Sequence, residues 1–138
     1  MGQIHTYNPK EVIISLGPHT VTGYAEDSFI TVDSNGDGVT KKVGADGEIV
    51  RSISPDDTYN VKLVVLSSSP TNSFLQNKFN QDRLQGDAMF PIQIKDLKGG
   101  MLFSSDAAWP IKPASRGFGR ESGNREWDLQ TGSGMITE

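Results

Sequence analysis

Cysteine is absent from these 138 residues, which excludes disulfide bridges and thiolate-held metals. Histidine is scarce as well: His5 and His19 are the only two, and no H-x-x-x-H spacing supplies a zinc ligand pair. Neither lies near a G-x-S-x-G nucleophile elbow, so both read as turn or surface residues, although a spatially assembled triad leaves no trace in sequence. Positive charge is in short supply, with 13 Lys and Arg against 17 Asp and Glu and a net charge of -4. Proteins that grip nucleic acid neutralise phosphates with a basic stripe; here Arg116, Arg120 and Arg125 are interrupted by Glu121 and Glu126, which disfavours that function. No apolar run approaches the roughly 18 residues that cross a bilayer. Met1 to Lys10 lacks a charged segment followed by an apolar one, so the expectation is a soluble chain assembled in the cytoplasm.

What the chain does have is turn chemistry. Glycine occurs 15 times and hydrophobic residues make up 35%, a balance suited to a β-rich domain with a modest core. The length fits one domain spanning residues 1–138, without internal repeat or linker. Glu11 to Leu16 and His19 to Ala25 read as strands joined at Gly17-Pro18, followed by Phe29 to Val32. Lys41 to Gly47 is polar and glycine-rich, and Glu48 to Ile53 resumes strand character. In Tyr59 to Leu66, Tyr59, Val61, Leu63 and Val65 share one face; Val64 and Leu66 on the other predict an end covered on both sides. A helix is predicted over about 70–85, with Ser69 as N-cap, Pro70 at N1, Phe74, Leu75 and Phe79 facing inward, and Gly86 as terminator.

Phe90 to Asp96 then alternates with Phe90, Ile92 and Ile94 inward; Pro91 predicts that this strand starts there or lies at an edge. Lys98-Gly99-Gly100 turns the chain into Met101 to Phe103, Ser104 to Gly123 reads as an extended loop, and Arg125 to Thr131 as the last strand. The expected fold is mainly β, an antiparallel sandwich or barrel with one helix.

Asp33-Ser34-Asn35-Gly36-Asp37-Gly38 matches the opening of a calcium-binding loop, with oxygen ligands at Asp33, Asn35 and Asp37. The twelfth position, which needs a bidentate Glu, is Gly44, so a self-satisfied polar turn is the plainer account. Gly117-Phe118-Gly119 with Gly123 lacks the strand and helix of a dinucleotide fingerprint and reads as a flexible loop. Trp109 and Trp127 read as core or interface anchors. No cofactor site and no catalytic constellation stands out.

The run from Asp27 to Leu75 resembles a tail-tube protein family of contractile-tailed bacteriophages. The residues that carry the likeness are Asp27-Ser28-Phe29-Ile30-Thr31-Val32, Val43-Gly44-Ala45-Asp46-Gly47-Glu48-Ile49-Val50-Arg51-Ser52, Val61-Lys62-Leu63 and Ser69-Pro70-Thr71-Asn72. Tyr7-Asn8-Pro9-Lys10 and Trp127 also fit, so it spans most of the chain and rests on order and spacing. The resemblance implies a non-enzymatic virion protein whose rings of six copies stack into a tube that conducts DNA. Its implied partners are further copies of itself, a sheath, baseplate hub or initiator proteins and a tail terminator, with DNA passing unheld. The insertion from Asp33 to Gly47 would touch the next ring, making Asp33, Asn35, Asp37, Lys41, Lys42 and Asp46 the expected contact residues. An acidic bore would repel phosphates, so net negative charge is expected along the channel.

Two other readings compete. One is a ring protein of a related contractile system or a tail-terminus adaptor with the same fold. The other is a small monomeric β-sandwich module that binds sugar or calcium, with a hydrolase as a more distant third.

Overall fold

Alternation of apolar and polar residues builds one seven-stranded sheet, which wraps around a single apolar core. The computed structural model describes residues 12–24, 29–97, 99–118 and 123–138. The expectations for His5, for Tyr7-Asn8-Pro9-Lys10, and for Glu11, Ala25, Asp27-Ser28, Lys98, Gly119, Arg120 and Glu121 lie outside these residues. In chain order the elements are β1 (Val12–Leu16), β2 (His19–Thr20), β3 (Ile30–Ser34), β4 (Val39–Val43), β5 (Ile49–Ile53), β6 (Thr58–Leu66), α1 (Thr71–Gln85), β7 (Phe90–Asp96), β8 (Leu102–Pro110) and β9 (Asn124–Thr137). The sheet runs β2-β1-β7-β8-β9-β6-β3, all antiparallel, and β4 pairs with β5 as a separate hairpin.

Two bulges bend this sheet along one line. Asp106 and Ala107 of β8 together face Pro91 of β7, and Thr131 and Gly132 of β9 together face Tyr59 of β6. Each bulge inserts one residue, which kinks its strand and reverses the inward parity beyond it. Phe103 and Ser105 point inward before the kink in β8, and Ala108 and Pro110 after it. Because the bulged strands are neighbours, β8 and β9 stay in register across the bend.

The bend also explains Pro91. It sits inside a strand paired on both sides, at the bulge, where a missing N–H breaks no regular ladder pair; its carbonyl still accepts Gly17 N–H at 2.7 Å. The strand starts at Phe90, so the expected start at Pro91 holds to within one residue, while the alternative of an edge position does not. The expected loop over Ser104 to Gly123 is corrected, because its first seven residues belong to β8. Leu66 is exposed and Val64 half-buried, so the far end of β6 is covered on one face of the chain.

At the far end of β6 the wrapped sheet is closed by an isolated bridge. Beyond β2 the chain reaches β6, where Tyr24 bridges Val65 and Leu66 N–H donates to the Gly23 carbonyl at 2.8 Å. Val12, Ile14 and Leu16, Val61, Leu63 and Val65, Phe90, Ile92 and Ile94, Phe103, Trp127 and Leu129 fill the interior. Helix α1 plugs it with Leu75, fully buried, and with Phe74 packed alongside. The helix starts one residue later than the sequence predicts: Pro70 is the cap, and Ser69 Oγ accepts the Thr71 N–H at 3.2 Å. Gly86 ends it at φ 71°, in the left-handed conformation that glycine adopts freely.

Candidate assembly surfaces

The hairpin β4–β5 stands apart from the core. Its pairs run Val39↔Ile53, Thr40↔Ser52, Lys41↔Arg51, Lys42↔Val50 and Val43↔Ile49, and every residue of both strands is exposed. Period-two alternation puts Val39, Ile53, Val43 and Ile49 on one face, with Lys41 and Arg51 between them. Ile53 is 79% exposed and Ile49 62%. Apolar side chains gathered on one exposed ribbon mark an interaction surface. A two-stranded ribbon is marginal alone in water, and two cations opposed across it oppose pairing.

Local hydrogen bonds shape the arm. At its tip Asp46 Oδ1 accepts the Glu48 N–H at 3.1 Å, Gly44 N–H donates to the Glu48 carbonyl at 2.8 Å, and Gly47 turns at φ 89°. At its base Ser54 N–H donates to the Gly38 carbonyl at 2.7 Å. The six residues expected at an inter-ring contact fall at three places. Lys41 and Lys42 lie in β4, Asp46 at the tip, and Asp33, Asn35 and Asp37 at or just beyond the end of β3. The stretch from Lys41 to Gly47, read from sequence as polar and glycine-rich before strand character resumes at Glu48, contains strand as well, because Lys41 to Val43 belong to β4.

Within the calcium-like turn, Asn35 is engaged by the protein itself. Asn35 turns its amide nitrogen to Thr58 Oγ1 at 3.1 Å and to Asn60 Oδ1 at 3.5 Å, and its backbone N–H to the Thr58 carbonyl. Among the described residues, no group of three His, Asp or Glu side chains stands close enough to hold a metal ion. The apolar half of the arm, Val39, Val43, Ile49, Val50 and Ile53, was not among the expected contact residues. The signal was present: segments rich in β-branched residues, Val39 to Val43 and Ile49 to Ile53, lie on either side of the turn formers Gly44, Asp46 and Gly47.

A second surface is the outer face of β3, β6 and β9. Thr31, Lys62 and Asp128 form one row across it and Asp33, Asn60 and Gln130 the next, with Glu126 beside Val64. Lys62 Nζ lies 2.5 Å from Glu126 Oε1, and this hydrogen bond with the carboxylate charge raises the Lys62 pKa above its ordinary value. Asp33, Glu126 and Asp128 against Lys62 leave the face net negative. β3 ends the sheet order, so one side of its backbone has no strand partner among the described residues.

An exposed arm, and a sheet edge without a strand partner among the described residues, are the features of this fold that another chain could meet. No protein-family model matches the chain. It is 30% identical over 134 residues to the structural protein ORF10 of Pseudomonas phage KPP10, covering 91% of this chain and 78% of that protein. The chain belongs to that family of phage structural proteins.

Solved structures share the fold at low sequence identity. The sheath/tube terminator of an extracellular contractile injection system in the extended state superposes with a TM-score of 0.69 at 13% identity, covering 99% of this chain and 100% of the other. The tube-terminating cap of the anti-feeding prophage gives 0.68 at 14%, covering 99% and 94%. A chain of the sheath-tube complex of the same kind of injection system gives 0.64 at 15%, covering 96% and 92%. These likenesses show a shared fold, and the relative at 30% identity shows a phage structural protein.

Proposed function

We propose that this chain forms a ring that ends or adapts a contractile tail tube. The likeness to the sheath/tube terminator, which spans that chain from end to end at a TM-score of 0.69, carries this reading. A contact between two different surfaces of the same chain, repeated by rotation, closes into a ring when the angle permits. The β4–β5 arm and the edge of β3 are suitable halves of such contacts, because no further strand covers either among the described residues.

In this reading the ring holds six copies and is built in the host cytoplasm. The tube lies on one side and the sheath end beside it. The arm residues Lys41, Lys42 and Asp46, with Asp33, Asn35 and Asp37 at its base, meet the adjoining ring. The acidic outer face of β3, β6 and β9 lines the bore, so DNA passes without being held. A bore lined with Arg and Lys in a reconstruction of the particle would contradict that placement.

A second reading, a repeating tube subunit, is supported by the likeness to the sheath-tube complex at a TM-score of 0.64. Electron microscopy of the purified protein, alone and with preformed tubes, separates the two. Rings that stop after one or two layers and bind tube ends support a terminator. Long tubes support the second reading, and persistent monomers contradict both.

A further inference from the structure

His19 joins two parts of the fold that sequence places far apart. Its ring Nε2 lies 2.9 Å from Thr71 Oγ1, at the first residue of α1, and the ring stacks on Phe74 with centroids 4.8 Å apart and planes 10° from parallel. Phe74 in turn packs edge-on against Phe90 of β7 at 5.5 Å, and Lys78 Nζ lies 5.7 Å from the Phe74 ring centroid. Two residues before Thr71, Ser69 Oγ donates to the Thr22 carbonyl at 2.5 Å, beside the seam where Gly23 and Tyr24 meet β6. His19, Thr71 and Phe74 therefore hold the first turn of α1 against the closing edge of the barrel.

We propose that His19 is an acid-sensitive latch, which holds the helix against the seam when neutral and loosens it when protonated. Four features of the site disfavour a cation on this ring. Burial already holds the imidazole below its ordinary value. Thr71 is the N-terminal residue of α1, where the helix macrodipole is positive, and the first turn contains no acidic residue to offset it. Lys78 is the charged group on α1 that reaches the same aromatic ring. β1 carries no ionisable side chain, nor does the Phe90–Pro91 end of β7, and Asp82 farther along α1 accepts the Ala88 N–H at 3.2 Å. Because the folded pKa is lowered, the contribution is complete above the unfolded histidine value of about 6.5 and fades as pH falls through the folded value.

The test is a proton NMR titration of the two histidines in the full chain, with His5→Gln to assign the signals and the urea-unfolded chain as reference. The His19 midpoint should fall below its unfolded value. Amides of Thr71 to Leu75 should lose hydrogen-exchange protection, relative to intrinsic rates, as pH falls through that midpoint. His19→Gln keeps a hydrogen-bonding group without titrating, so its protection should lose that pH dependence. A folded midpoint at or above the unfolded one, or the same pH profile in wild type and His19→Gln, would overturn the proposal. If the Gln variant does not fold, the wild-type titration decides alone.

Discussion

The indole Nε1–H of Trp127 donates to Oδ1 of Asn72 at 2.9 Å, deep between β9 and the start of α1. The Asn72 amide nitrogen faces the carbonyls of Leu66, Ser67 and Ser69 at 2.9, 3.2 and 3.1 Å. One asparagine thus satisfies the buried tryptophan and the carbonyls of the chain that leads from β6 into the helix. Asn72→Ala strands the Trp127 indole N–H and the Ser67 carbonyl, while Leu66 and Ser69 keep backbone N–H partners; in a site only 4% exposed it should cost about 1–3 kcal/mol. Trp127→Phe leaves Oδ1 unpaired and also opens a cavity in a fully buried site, so it should cost at least as much. Urea unfolding of both variants, followed by circular dichroism, measures the order.

The bend in the sheet depends on small residues beside the bulges. A methyl group at Gly134 would sit 3.0 Å from Tyr59 Cδ1 and 3.2 Å from Phe103 Cε2, inside the edge-to-face pair those two rings form at 5.0 Å. At Gly132 the nearest atom would be Ala107 Cβ at 3.8 Å, an ordinary contact. Gly134→Ala should therefore lose about 1–3 kcal/mol, while Gly132→Ala stays within about 1 kcal/mol of wild type. Thermal unfolding of the pair distinguishes them.

The turn before β6 makes a pH prediction. The Asp56 carboxyl is held below its ordinary pKa, first by the Thr58 hydroxyl at 2.6 Å and then by the Thr58 N–H at 3.1 Å. A lowered carboxylate contributes stability above its unfolded value of about 3.9, and this is lost as pH falls through the folded value. Thr58→Val removes the hydroxyl and keeps the β-branched shape, so the Asp56 midpoint should move up in a carbon-detected NMR titration.

The arm should matter for assembly and not for the fold of a single chain. Val43→Thr with Ile49→Thr preserves β propensity but removes apolar surface that the chain itself never buries. Stability of the isolated subunit should change by no more than about 0.5 kcal/mol, and sedimentation should show weaker association. Equal losses in both measurements would mean the arm packs on its own chain.

Most of the fold was legible because its strands alternate. Phe90, Ile92 and Ile94 in β7 and Trp127 and Leu129 in β9 point inward as their pattern required. The helix was bounded by Pro70 and Gly86, whose backbone constraints act locally. The part of β8 from Ser104 onward was read as loop because Ser104-Ser105-Asp106-Ala107-Ala108 contains no β-branched residue and its bulge breaks the alternation. The first strand of the arm was missed for a different reason: Lys41 and Lys42 masked a pairing that neighbouring Val39 and Val43 support. Asn72 appeared within the quoted Ser69-Pro70-Thr71-Asn72 run, yet its bond to Trp127 spans 55 positions and leaves no local signal.

Electron microscopy of the purified full chain over rising concentration, with and without preformed tubes and sheath, is the most direct measurement. The account predicts closed rings around a central opening, seated at tube ends, and mostly single subunits for the Val43→Thr, Ile49→Thr variant. A chain that stays solitary at every concentration and ignores both tube and sheath would contradict it.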